Sequence, residues 1–244
     1  MRSRYIIVSL LCVSFITACF PLASPPEAPP PRPPMPTSTP KPAPTATPAP
    51  AFETTAENVY EDAVGSLRFL LEVRNANDYP VESIWTTVVL RDEVGEMVAS
   101  QSAYAKLDLL EPSETASVLV VFFLKHPPYA THHIHVDGQR ADYLQDLLHP
   151  TLEVVDVSGR VGEWVPYEVV GQVNNAGHGD AEAVTLFVTC HDAQERPVAI
   201  GTGRPSSRVI PAGAASEFLV SVGAVAGQIE SCTVQVQGLR SDRR

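Results

Sequence analysis

The feature that most constrains the fold is that the chain repeats itself at a constant offset of 100 residues. Leu71-Glu72-Val73-Arg74-Asn75-Ala76 lies over Gly171-Gln172-Val173-Asn174-Asn175-Ala176. Without a gap, the same offset pairs Asp92 with Asp192, Val98-Ala99 with Val198-Ala199, Leu119-Val120 with Leu219-Val220, and Gly138 with Gly238. A tandem duplication of this kind restricts the fold to two like units, each with its own core.

Each unit reads as all-β. In the first, Ile84, Thr86, Val88 and Leu90 fall on one face of an extended run, and Trp85, Thr87 and Val89 on the other. In the second, Val184, Leu186, Val188 and Cys190 occupy the matching face. Turn chemistry separates the strands at Asn75-Ala76-Asn77-Asp78, Asp92-Glu93-Val94-Gly95 and Glu111-Pro112-Ser113, and at their counterparts Asn174-Asn175-Ala176-Gly177 and Pro211-Ala212-Gly213. Later strands are expected at 115–124 and 215–222, then at 131–137 and 231–237. Lead-in strands near Asn58-Val59-Tyr60 and over 152–157 bring each unit to six or seven strands. That number and spacing predict two tandem small Greek-key, immunoglobulin-like β-sandwiches, over 53–138 and 151–238. Between them, 139–150 is a linker. Tyr143, Leu144, Leu147 and Leu148 fall at helical spacing within 141–148, predicting a short helix closed by His149-Pro150. A polar tail is expected over 239–244.

These residues resemble the FxLYD domain, an extracellular bacterial β-sandwich found in lipoproteins. The first unit carries Val73-Arg74-Asn75, Val88-Val89-Leu90-Arg91-Asp92 and Leu110-Glu111-Pro112-Ser113-Glu114-Thr115. The second carries Val173-Asn174-Asn175, Val188-Thr189-Cys190-His191-Asp192 and Ile210-Pro211-Ala212-Gly213. The phenylalanine and tyrosine that name the motif are replaced by Val88 and Arg91, and by Val188 and His191. The resemblance implies a fold and an extracellular location, and no catalytic residues.

The N-terminus points to the same compartment. Arg2 and Arg4 precede an apolar run from Tyr5 to Phe15, and the run ends in Ile16-Thr17-Ala18-Cys19. The run is too short and wrongly flanked for a spanning helix, and reads as a signal peptide over 1–18. It resembles the lipobox of bacterial lipoproteins, in which the leader is removed and the cysteine becomes a lipid-carrying N-terminus. The resemblance implies a diacylglycerol thioether and an amide-linked acyl chain such as palmitate on Cys19. One chain holds a protein to a membrane only marginally, and several hold it stably. The alternatives are a secretory peptide cut after Ala18, leaving Cys19 unmodified, and an uncleaved anchor. After Cys19, residues 21–50 are Pro, Ala, Thr and Ser with little else, including Pro25-Pro26, Pro29-Pro30-Pro31 and Pro33-Pro34. A stretch that lacks core-forming residues and backbone donors is expected to be a disordered, partly polyproline II stalk over 19–52.

Charge excludes some partners. The net charge is −11, and losing Arg2 and Arg4 with the leader takes it to −13. Nucleic acid and anionic lipid headgroups both reward clustered Lys and Arg, so the membrane is met through lipid on Cys19 and nucleic acid is not a partner. With Cys12 in the leader and Cys19 lipidated, Cys190 and Cys232 remain. Alternation puts Cys190 in phase with Val184, Leu186 and Val188, and Cys232 in phase with Val234 and Val236. Both therefore point into one core in an exported protein, which predicts a Cys190–Cys232 disulfide rather than two buried free thiols.

Two clusters invite a sharper chemistry. His133, His135 and Asp137 share the outer face of one strand, and two imidazoles at that spacing are weak candidates for zinc or copper ligands. No third ligand from elsewhere is identifiable. Asp92 and Asp192, each ending a strand, read as side-chain caps of the following turn. No nucleophile elbow, phosphate-cradling glycine loop or helical zinc motif is present in the sequence. The expectation is a non-enzymatic lipoprotein without cofactor, on the extracytoplasmic face of the cell membrane, presenting two modules to a protein or glycan partner or acting as a spacer. An envelope-assembly or transport accessory is the alternative, and a metal-binding protein or hydrolase using the His132–Asp137 strand is a third.

Overall fold

The computed structural model describes residues 49–123, 125–223 and 225–241. Cys19, the leader and nearly all of the proline-rich stalk lie outside these, as does the end of the polar tail. The first module holds β1 (Phe52–Glu61), β2 (Leu67–Asn75), β3 (Val81–Arg91), β4 (Met97–Tyr104), β5 (Leu109–Leu110), β6 (Thr115–Phe122) and β7 (Thr131–Arg140). One helical turn, α1 (Leu144–Leu147), follows. The second module holds β8 (Leu152–Arg160), β9 (Tyr167–Asn175), β10 (Ala181–His191), β11 (Pro197–Gly203), β12 (Val209–Ile210), β13 (Ala215–Val222) and β14 (Ser231–Arg240). All seven strands of the second module begin 100 residues after their mates in the first. Strands β7 and β14 run to Arg140 and Arg240, so each sandwich extends two residues beyond its expected end and the helix is shorter than 141–148.

In each module, two antiparallel sheets face each other. Sheet β1-β2-β6 lies over β4-β3-β7, with β5 pairing to the start of β3. Sheet β8-β9-β13 lies over β11-β10-β14, with β12 on the start of β10. The chain crosses between sheets from β2 to β3, returns to pair β6 with β2, and crosses again to set β7 beside β3. The expected inward set, Ile84, Thr86, Val88 and Leu90, is buried, as are Val184, Leu186, Val188 and Cys190. Val81 and Ala181 are buried as well, although simple alternation turns them outward. A bulge resets the phase. The ladder slips between Glu82 and Trp85, and between Glu182 and Thr185, with Ser83 at φ 52° and Ala183 at φ 50°.

A buried asparagine closes the end of β2 and of β9. Asn75 donates through Nδ2 to the carbonyls of Tyr79, Leu110 and Glu111 at 2.9, 3.1 and 3.2 Å, and its Oδ1 accepts from the backbone and side chain of Asn77. Asn175 repeats this with Gly179 at 2.8 Å, Ile210 at 2.9 Å and the backbone N–H of Gly177 at 3.0 Å. Each amide ties the crossing loop to the short strand that pairs with the next sheet.

The disulfide joins Cys190 to Cys232, which face each other directly across β10 and β14 with Cα atoms 4.0 Å apart. In the first module, Leu90 and His132 oppose each other in the same register. His132 faces inward at the rim. Its ring packs edge-on to Phe69 at 5.0 Å, and its Nε2 lies 2.7 Å from a carboxylate oxygen of Glu57.

The modules are packed together. Phe187 lies on the outer face of β10 and packs against the core of the first module. The hydroxyls of Thr189 and Ser117, both buried, bond each other. Gln235 Nε2 donates to the Thr115 carbonyl at 2.9 Å, and Gln237 exchanges bonds with the Leu109 carbonyl and the Asp108 N–H. Asn58 Nδ2 donates to the Pro197 carbonyl at 2.9 Å. Leu70, outward in the phase of β2, is 1 % exposed. Residues 46–244 accordingly cluster as one compact unit containing both cores, the disulfide and every described strand pairing.

Asn75→Ala strands several buried carbonyls and N–H groups, each costing about 1–3 kcal/mol. Urea unfolding is expected to show a loss of about 2–4 kcal/mol for Asn75→Ala, and a loss within 0.5 kcal/mol would contradict this role. The disulfide closes a loop with a sequence separation of 42, which stabilises by about 3–4 kcal/mol on the chain-entropy model. Reductant is expected to lower the melting temperature of the wild type and leave the Cys190→Ala/Cys232→Ala variant, already lower, unmoved.

Candidate functional site

Strand β7 carries the histidine cluster, and alternation divides it. His133 and His135 are exposed on the outer face, opposite Val89 and Thr87 of β3, whereas His132 faces the rim of the core. Asp137 stands opposite Trp85 and its Oδ1 accepts the Gly138 N–H at 2.8 Å. Among the described residues, no group of three or more His, Cys, Asp or Glu side chains converges as a metal site would require.

Asp92 and Asp192 do what their turns demand. Asp92 Oδ1 accepts from the N–H groups of Val94 and Glu96 at 3.0 and 2.9 Å, and Asp192 Oδ1 from those of Gln194 and Arg196 at 2.9 and 3.0 Å. The Arg196 guanidinium, bonded to the other oxygen, holds the Asp192 carboxyl below the usual carboxylate range. Both carboxylates are occupied in holding hairpins.

Two surfaces remain with the character of a binding site. The outer face of β4-β3-β7 is the first. Trp85 and Tyr104 oppose each other in register and meet edge to face, with ring centroids 6.5 Å apart. Beside them, the hydroxyls of Thr87 and Ser102 bond at 2.7 Å. Tyr104 is 70 % exposed, and Met97 and Val98, on the same edge strand, are 63 % and 36 % exposed. An open sheet edge flanked by aromatic and apolar side chains is suited to holding a partner surface.

The second surface is the cleft at the module junction, about 780 Å³, lined by Glu57, Glu72, His191, Glu195, Arg196 and Gln235 among others. Here His191 Nε2 lies 2.9 Å from Glu72 Oε1, with the two side chains 13 % and 18 % exposed. The bond to Glu72 raises the His191 pKa, burial opposes it, and the carboxylates of Glu195 and Asp192 add to the rise. Glu114, at the same junction, is also raised, chiefly by burial.

The junction residues are not among those expected from two separate modules, and the sequence carries one signal for them. Phe69-Leu70-Leu71 is apolar on both phases of β2, which a strand covered on one face does not need. Thr189, Ser117 and Gln235 carry no such signal, because each suits a solvated face. Compared with known proteins, the chain matches no protein-family model and no curated protein.

The raised His191 pKa fixes the direction of a pH effect. A group whose pKa rises on folding adds stability below its unfolded pKa of about 6.5, and that stability is lost as pH climbs through the folded value. The gap in melting temperature between wild type and His191→Gln is therefore expected to be largest near pH 6 and to shrink toward pH 8.5. A charged bond exceeds a neutral one by about 1 kcal/mol, which sets the scale of the gap. A gap independent of pH would remove the ion pair from the junction.

Proposed function

We propose that this chain is a lipoprotein held on the extracytoplasmic face of the cell membrane through lipid on Cys19. On this reading it presents two FxLYD-like sandwiches as a non-catalytic interaction or spacing head. The order of basic start, short apolar run, small residues and Cys19 supports the anchor, and the proline-rich 21–50 supports a stalk that lifts the head from the membrane. The observation that carries the interaction role is the outer face of β4-β3-β7, where Trp85, Tyr104, Met97 and Val98 lie beside an open edge strand while the inner face fills a packed core. A protein or glycan is the partner such a surface accommodates. The Cys190–Cys232 disulfide supports an oxidising compartment, where such bridges persist.

Metabolic labelling with an alkynyl fatty acid tests the anchor. The wild type is expected to take the label and partition with membranes, and Cys19→Ala to do neither. Equal labelling of both chains would defeat the proposal.

A further inference from the structure

The contact between the modules uses one face of each, and the duplication leaves the complementary pair of faces unused. The second module docks with the outer face of β11-β10-β14, through Phe187, Thr189, His191, Gln235 and Gln237. The first module receives it on the outer face of β1-β2-β6 and the adjoining β5, through Asn58, Glu72, Ser117 and Leu109. The first module carries its own copy of the docking face on β4-β3-β7, and the second its own copy of the receiving face on β8-β9-β13. Neither has a described partner.

Exposure at matched positions follows this division. Val198 is 1 % exposed and its mate Val98 36 %; Pro197 is buried and its mate Met97 is 63 % exposed. On the receiving side, Leu109 is 4 % exposed and its mate Val209 41 %; Ser117 is 4 % exposed, whereas Glu217 stands out to solvent. Strand β13 shows a clean alternation of exposed and buried residues where β6 is buried on both phases at 116–118. The free faces are also chemically matched at two of the contacts. Arg91 stands where His191 bonds Glu72, and Gln172 stands in the place of Glu72, so a donor again meets an acceptor. Asp137 takes the place of Gln237, whose Oε1 accepts the Asp108 backbone N–H, and so keeps an acceptor for the backbone N–H of Arg208, the mate of Asp108.

We infer that the partner of the Trp85 face is a second copy of this chain. The first module of one copy docks onto the β8-β9-β13 face of another, repeating head to tail the step that already joins the two modules within the chain. The contact is heterologous: each copy offers one donor face and one receiving face, so growth continues until a ring closes or the chains run out. Tethering on a shared membrane favours it, since tethers raise effective concentration toward the millimolar range. The inference rests on the interaction reading above and not on the lipid. Residues 46–244, which hold every contact of the compact unit, therefore test it apart from the anchor.

Sedimentation of residues 46–244 up to about 1 mM, the effective concentration of a tether, is the measurement. The wild type is expected to show a series of masses rising with concentration beyond the dimer. Met97→Glu removes the docking face and Val209→Glu the receiving face, both at exposed positions, so each is expected to sediment as a monomer with an unchanged unfolding midpoint. Mixing the two variants restores one good face on each and is expected to give a one-to-one dimer, twice the monomer mass, that grows no further. A wild type that stays monomeric, including one that instead binds soluble polysaccharide through Trp85, would overturn the inference. So would a dimer that Met97→Glu abolishes and Val209→Glu leaves intact, since that is a symmetric pairing of one face.

Discussion

Each sandwich depends on one amide. A chain that leaves one sheet for the other must turn through a crossing loop whose carbonyls no strand can satisfy, and a carbonyl buried without a donor is expensive. Asn75 and Asn175 supply the missing donors from the last position of β2 and β9. Each holds the crossing loop, through Tyr79 or Gly179, and the short strand, through Leu110 or Ile210. That bond fixes where β3 and β10 begin, and the first pairs of each, Val81↔Leu110 and Ala181↔Ile210, are made beside it. Register in a half-buried strand is all or nothing, since one residue of slip turns the core face outward. The amide therefore acts on every inward side chain downstream of it.

The parts of this fold that are legible in the sequence are those governed by a period. The offset of 100 survives in every strand start, and the two-residue alternation correctly assigns Ile84 through Leu90 and Val184 through Cys190 to the core. The cysteine pairing follows from the same phase. What escapes is anything that breaks the period or has none. Ser83 and Ala183 adopt left-handed backbone without being glycine or asparagine, so nothing in their identity announces the bulge that brings Val81 and Ala181 back inside. His132, by contrast, keeps the period: alternation sets His133 and His135 outward and leaves His132 opposite Leu90 at the position that Cys232 holds in the second module.

The junction was harder still. A threonine, a serine and two glutamines are the residues expected on a solvated sheet, yet here they mate two sheets through directional bonds. Interfaces of this polar kind differ little in composition from ordinary surface, and geometry alone distinguishes them. The duplication gives each module the strands of both faces, but the residues at the contact differ between the copies, with Thr87 and Val89 in place of Phe187 and Thr189.

If the chain is held at one end by a stalk, as proposed, the disulfide between neighbouring strands gains a mechanical meaning. Suppose that stalk is pulled while a partner grips the far module. An unfolding first module can pay out its whole contour. The second cannot, because the segment between Cys190 and Cys232, separated by 42 in sequence, stays looped and bears no load. At about 3.3–3.6 Å per extended residue, roughly 140 Å of chain is withheld. The two halves of a duplicated protein thus become unequal springs, the nearer one yielding at full length and the farther one stopping short.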